Sequence, residues 1–139
     1  MASALTTDSS RKAPMRSSPR ILVVDDEPLA LEVIVDGLGE EGYSIDMASS
    51  GAEAITKAKQ TGYDVVITDL MMPGMSGMEV LDHFTENQPE TLVVVLTGYG
   101  TIETAVQAVK RGAFDYLTKP AKLDEILIIL KRAEELNAL

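Results

Sequence analysis

Hydrophobic and polar positions follow two alternating periods along this chain, and the switch between them repeats five times after residue 20. Runs such as Ile21-Leu22-Val23-Val24, Val65-Val66-Ile67 and Leu92-Val93-Val94-Val95-Leu96 are apolar at every position and rich in β-branched residues. Such runs predict strands buried on both faces, as in a parallel sheet covered by helices. The pattern predicts strands near 20–25, 43–48, 64–69, 91–97 and 115–118. Between them apolar residues recur at intervals of three and four, which predicts helices near 28–40, 51–61, 77–87, 102–111 and 123–136. The helix ends carry their own marks. Pro28 suits a first helical position. Ser50 with Glu53, and Ser76 with Glu79, each fit a capping box. Gly42, Gly62 and Gly112 each stand where a left-handed C-cap is expected.

Five successive strand–helix units predict an α/β fold: a doubly wound, five-stranded parallel sheet with five helices and right-handed crossovers. In the flavodoxin-like strand order 2-1-3-4-5, ligands bind beyond the carboxyl ends of the strands, at the switch between strands 1 and 3. The polar residues that end these strands therefore carry the chemical reading. Asp25-Asp26 ends the first strand, Asp69 the third, Thr97 the fourth, and Lys119-Pro120 closes the fifth. Singly, each has a bland explanation. Acids favour a helix N-terminus, and a Lys-Pro pair is an ordinary turn. Jointly, at one end of one sheet, they form a set able to hold a divalent cation and receive a phosphoryl group. Carboxylate oxygens suit Mg²⁺, with Mn²⁺ the alternative, better than zinc. Asp69 is then placed to act as a nucleophile that forms an acyl phosphate. The Lys119 ammonium and the Thr97 hydroxyl meet the charge on the transferring oxygens. The single histidine, His83, falls within the third helix and is read as a surface residue, neither ligand nor phosphodonor. Glu27, just before Pro28, is read as a cap of the first helix.

Composition changes this picture only at the edges. A length of 139 residues suits one domain. The Ser-, Thr-, Ala- and Pro-rich segment 1–19 is expected to be a flexible tail, and 20–139 the folded domain. The absence of cysteine excludes disulfides, thiolate metal sites and thiol catalysis. The apolar runs fall far short of the roughly 20 residues that cross a bilayer, and the N-terminus lacks the apolar core of a signal peptide. No membrane contact and a cytoplasmic location are expected. Arg11, Lys12, Arg16 and Arg20 stand against Asp8 alone in the first 20 residues, a net of +3. The whole chain carries −10, which leaves −13 for the remainder. A body so acidic is not expected to bind nucleic acid directly.

Four segments together resemble the receiver (REC) domain of two-component response regulators, the CheY-like members of the flavodoxin-like fold. They are Val23-Val24-Asp25-Asp26-Glu27, then Asp69-Leu70-Met71-Met72-Pro73-Gly74-Met75-Ser76-Gly77, then Leu96-Thr97-Gly98-Tyr99-Gly100, and finally Gly112 to Pro120. The resemblance spans about residues 20–136. Within the family, the run Leu96 to Val106 is most similar to receivers of the enhancer-binding, nitrogen-regulation type. Ala121 departs from the Phe often found after Lys-Pro in those relatives.

The resemblance implies roles residue by residue. Asp69 is the expected phosphoacceptor. Asp26 is the expected direct Mg²⁺ ligand, Asp25 acts largely through water, and the Met71 backbone carbonyl completes the protein's ligands. Thr97 and Lys119 bind the phosphoryl oxygens. Tyr116 is the switch aromatic that turns inward when Thr97 moves. The Lys119-Pro120 peptide is expected to be cis. Gly98 leaves room for the donor. Met71 and Tyr99, both large and neither a good general base, are expected to shield the acyl phosphate and slow its hydrolysis to many minutes or longer.

The implied partners are a sensor histidine kinase and an output domain in a longer chain, the chain being either free-standing or cut from such a regulator. No turnover is expected beyond its own phosphorylation and dephosphorylation. A homodimer through helix 4, strand 5 and helix 5 is also expected. Ile102, Ala105, Val106 and Val109 are read as the sheet-facing stripe of helix 4. In helix 5 the inward stripe is read as Leu123, Ile126, Leu127, Leu130 and Ala133, with Ile128, Ile129 and Leu136 left for a partner or a coiled linker. Three other readings compete. A haloacid-dehalogenase-type phosphatase needs an acid two residues past its nucleophile, where this chain has Met71. A flavin carrier needs a Ser/Thr-rich loop after the first strand. A degenerate receiver that only docks is opposed by the presence of all five site residues.

Overall fold

Each predicted strand takes its place in a single parallel sheet. The computed structural model describes residues 19–98 and 102–138. The elements are β1 (Arg20–Val24), α1 (Pro28–Glu40), β2 (Ser44–Ala48), α2 (Gly51–Gln60), β3 (Val65–Asp69), α3 (Gly77–Asn87), β4 (Leu92–Thr97), α4 (Ile102–Lys110), β5 (Asp115–Thr118) and α5 (Leu123–Ala138). The strand order is β2-β1-β3-β4-β5. Register is continuous across the centre: Val24 pairs with Thr68, and Asp69 with Leu96. The tail expected over 1–19 falls outside the described residues apart from Pro19, as does Tyr99.

The apolar runs are continuous because both faces of the sheet are covered. Leu22, Val24, Val66, Val93 and Val95 point to one side, against Ala54, Ala58, Val80, Leu81, Phe84 and Ala108. Ile21, Val23, Val65, Ile67, Val94 and Leu96 point to the other, against Leu31, Ile34, Leu38, Ile126, Ile129 and Leu130. The period of two thus places neighbouring residues in different cores. Full burial of an aliphatic side chain contributes roughly 1.5–3 kcal/mol, so the central strands anchor everything attached to their ends.

Several local expectations are met and several corrected. Ser76 and Glu79 form a complete capping box. At α2 the device is displaced: the Ser50 hydroxyl accepts from the Glu53 N–H, but the Glu53 carboxylate reaches back to the N–H and hydroxyl of Ser49. Gly42 (φ 93°) and Gly112 (φ 108°) are left-handed, whereas Gly62 is not and Gly74 (φ 76°) is. The sheet-facing stripe of α4 is narrower than expected. Ala105 and Ala108 are buried, while Ile102, Val106 and Val109 are exposed. In α5 the inward stripe runs Ile126, Ile129, Leu130 and Ala133. Ile129 therefore belongs to the core and not to a partner surface, while Ile128 and Leu136 stay exposed as expected. The spacing 126, 129, 130, 133 is itself a helical stripe; of the expected inward residues Ile126, Leu130 and Ala133 are buried and Leu127 packs half-buried against the same core, while Leu123 is exposed.

Candidate functional site: an acidic cluster at the strand ends

The carboxyl ends of β1, β3 and β4 deliver the polar residues to one place. The Asp25 N–H donates to the Ala48 carbonyl, which carries the β1 ladder one residue further and buries the Asp25 side chain. Asp69 ends β3 with 3% of its surface exposed. Asp26 is exposed at the rim. One carboxylate oxygen from each of Asp25, Asp26 and Asp69 lies within 4.8 Å of the others. The Lys119 N–H donates to the Thr97 carbonyl at 2.7 Å, which joins the residue after β5 to the end of β4. The Lys119-Pro120 peptide is cis, as expected.

The Lys119 ammonium is the centre of the cluster. Its Nζ lies 2.9 Å from Asp25 Oδ2, 3.1 Å from Asp69 Oδ2 and 3.0 Å from Glu27 Oε1. The contacts to Glu27 and Asp69 are hydrogen bonds. The contact to Asp25 is an ion pair with its buried Oδ2. The remaining carboxylate oxygens are held by backbone: Asp25 Oδ1 accepts from the Glu27 N–H, and Asp69 Oδ1 from the Met71 N–H. Burial raises the Asp69 pKa above the ordinary aspartate value, and the Lys119 ammonium and the Met71 N–H offset part of that rise. Burial alone would lower the Lys119 pKa. Asp25, Glu27 and Asp69 outweigh it and hold the ammonium above the usual lysine value.

The cluster fits a hard divalent cation. Its donors are all oxygens, and the four carboxylates of Asp25, Asp26, Glu27 and Asp69 gather around a single ammonium, an excess of negative charge that a cation would offset.

The loop after Asp69 is built around Gly77. Its N–H donates to the Leu70 carbonyl at 3.0 Å. A Cβ at this position would overlap the Asp69 carbonyl oxygen and lie 2.6 Å from Leu70 Cα. A glycine at the start of α3 is thus what lets that helix approach the end of β3. Met71 projects its side chain into solvent, 75% exposed, beside the site. The Thr97 hydroxyl points toward the Leu117 carbonyl at 3.4 Å. Tyr116 lies on β5 with its side chain largely outward, 41% exposed. Gly98 follows directly after β4, half-buried with open space where a Cβ would stand.

Two residues escaped the sequence. Glu27 occupies the N-cap position of α1, but its side chain makes no capping hydrogen bond; it turns instead to Lys119. A contact across 92 residues leaves no local pattern. Gly77 was noticed only as part of a motif, and its packing role is visible only in three dimensions.

A profile of the response regulator receiver domain matches residues 21–131. The acid tolerance regulatory protein ActR of Rhizobium meliloti is 41% identical over 110 residues, which is 79% of this chain and 57% of that protein. The regulatory protein AtoC of Escherichia coli is 35% identical over 125 residues, 90% of this chain and 27% of that one. Among solved structures, the beryllofluoride-activated NtrC4 receiver domain dimer superposes with a TM-score of 0.80 at 39% identity, covering 85% of this chain and 98% of that one. The chain thus spans between about a quarter and just over half the length of these curated relatives. Relatives such as AtoC and NtrX are consistent with the nitrogen-regulation type. None of the described helices is long and apolar enough to cross a membrane. The matched segment takes in the sheet from Ile21 onward and every residue of the acidic cluster, and the chain belongs to the receiver-domain family of response regulators, a signalling family whose general role is a phosphorylation switch.

Proposed function

We propose that Asp69 is the phosphoacceptor and that its donor is a phosphohistidine on a sensor histidine kinase. A carboxylate oxygen of Asp69 attacks phosphorus; the new P–O bond forms as the P–N bond breaks, and the departing imidazole nitrogen keeps the electron pair and takes up a proton. Lys119 and Thr97 bind the transferred oxygens. Asp25, Asp26, Asp69 and the Met71 carbonyl hold Mg²⁺, with Mn²⁺ an alternative. When bound, that cation supplies positive charge to the carboxylates and to the phosphoryl oxygens. The observation that carries this reading is the placement of one ammonium within 3.1 Å of two buried carboxylates, with Asp26 completing a cluster of three acids.

The switch then runs through Thr97 and Tyr116. In this state the Thr97 hydroxyl faces Leu117 and the Tyr116 ring is exposed. The acyl phosphate draws Thr97 toward Asp69 and vacates space for the ring. Such a change requires only a bias of a few kcal/mol between two states. The altered surface is that of α4, β5 and α5, through which we propose the domain forms a homodimer; the beryllofluoride-activated NtrC4 receiver domain, a structural relative, is itself a dimer. The greater length of the curated relatives supports an output domain in a longer chain. Segment 1–19 as a tail, residues 20–139 as the receiver unit, and a cytoplasmic location belong to the same proposal. So does slow dephosphorylation, for which the exposed Met71 side chain and Tyr99 act as shields.

The test is intact mass after incubation with a small-molecule phosphodonor, with and without Mg²⁺, beside Asp69→Asn. The expected result is a single Mg²⁺-dependent phosphoryl adduct, absent from the variant, that decays over many minutes. No adduct despite Mg²⁺ binding favours a docking module instead. Decay within seconds overturns the shielding role of Met71 and Tyr99.

A further inference from the structure

The position of Glu27 is not explained by helix capping. Its backbone is extended (φ −96°, ψ 111°), and its carbonyl accepts from the Leu31 N–H, which opens α1. Pro28 follows, so the first helical position has no N–H to satisfy. The Glu27 N–H is committed to Asp25 Oδ1. That bond fixes the backbone of Glu27 beside the cluster and sends its carboxylate to Lys119 at 3.0 Å. Of the three carboxylates on Lys119, those of Asp25 and Asp69 are 0% and 5% exposed, while that of Glu27 is 67% exposed.

We propose that Glu27 is a positioning residue: an outer tether that holds Lys119 at the mouth of the site when Asp25 and Asp69 are drawn to a cation. The inference rests on the phosphoacceptor reading above. Lys119 occupies the charge that a divalent cation would otherwise meet, so the ammonium and the cation compete for the same two buried carboxylates. Lys119 yields them at lower cost when another anion receives it. Glu27 is the one member of the trio outside the proposed ligand set, and its exposure lets it follow the ammonium outward. Lys119 thereby stays within reach of incoming phosphoryl oxygens instead of swinging into water. Without Glu27, the ammonium settles more firmly on Asp25 and Asp69, and cation entry becomes harder.

A direct attraction between Glu27 and the cation would act in the same sense, so the test separates the two by a double-mutant cycle. The probe is Mg²⁺ alone, without phosphodonor, its affinity read by titration of backbone amide shifts or by calorimetry. Glu27→Gln in the natural chain is expected to weaken Mg²⁺ binding about threefold, the scale of a partly exposed ion pair. In the Lys119→Met and Lys119→Gln backgrounds the same change is expected to have almost no effect, because the residue it acts through is gone. An equal loss in all backgrounds overturns the tether and leaves Glu27 a simple long-range attractor. No loss in the natural chain overturns it as well. Failure of the natural chain to bind Mg²⁺ at all defeats both this inference and the cation site it rests on, and is told apart from the other outcomes by that titration alone. Glu27→Asp, with a shorter reach from the same backbone, is expected to fall between.

Discussion

At the scale of single residues, Gly77 gives the sharpest expectation. Its missing side chain is occupied by the backbone of Asp69 and Leu70, which cannot retreat the way a flexible side chain can. Gly77→Ala should therefore push the start of α3 away from β3, at a cost of about 2–3 kcal/mol, the usual scale of overpacking against a rigid neighbour. It should also disturb the carboxylate whose Oδ1 is held by the Met71 N–H in the same loop. Urea denaturation checks the first effect and the Mg²⁺-dependent mass adduct the second. Stability unchanged within about 0.5 kcal/mol would show that the loop adapts and that glycine is not required there. Much of the site was legible from residues in order: a carboxylate or hydroxyl at the end of an apolar run is a local signal, and Asp25, Asp69 and Thr97 were all read that way. Glu27 was not, because acid before Pro is equally the signature of a helix start. Its true partner is set by the return of the chain at Lys119, 92 residues later.

At the scale of elements, the central strands β1, β3 and β4 were legible to within a residue because two-sided burial writes apolar residues at nearly every position, while the edge strands β2 and β5, part-exposed and mixed in polarity, were placed by the alternation of units around them. Helices carry less information, since a stripe can be drawn through several sets of aliphatic residues. In α4 the larger valines attracted the reading, yet the alanines face the sheet: close packing between helix and strand favours the small side chain. In α5 the adjacent pair Ile128 and Ile129 divides between solvent and core, at 61% and 4% exposure. Substitution of each to alanine should separate them cleanly. Ile129→Ala removes atoms packed with Ile126 and Leu130 and should cost about 2–4 kcal/mol. Ile128→Ala should stay within about 0.5 kcal/mol. Chemical denaturation of the two variants beside the natural chain measures this, and equal losses would mean that α5 is rotated from the position described. The exposed end of α5 is tied down elsewhere. Arg132 pairs with Asp115 of β5 and lies 5.2 Å from the centre of the Phe114 ring, and Tyr43 donates to Glu134.

At the scale of the molecule, the question is why a domain with two complete cores leaves apolar side chains outside. Ile102, Val106, Val109, Tyr116 and Ile128 are all at least 41% exposed, and they belong to α4, β5 and α5, which pack in succession at one side of the sheet. Isolated exposed aliphatics are ordinary, but their concentration on three neighbouring elements points to a covered face. The same side holds Tyr116, the proposed readout of phosphorylation, so covering that face and switching it are linked. The linkage has a direction. If the phosphorylated state buries the Tyr116 ring and aligns α4 with α5, association should tighten with phosphorylation, and by reciprocity the dimer should hold the phosphorylated conformation. Sedimentation velocity before and after reaction with a phosphodonor and Mg²⁺ is expected to show a shift from monomer toward dimer. Val106→Glu and Ile128→Glu place a charge in the proposed contact without touching the acidic cluster. Both should keep the mass adduct and lose the shift by about tenfold or more in dimer affinity, since a charge buried unpaired at an interface costs more than about 1.4 kcal/mol. If the phosphorylated natural chain remains monomeric, that face serves a different occupant, and the output domain of a longer chain becomes the partner to test against it.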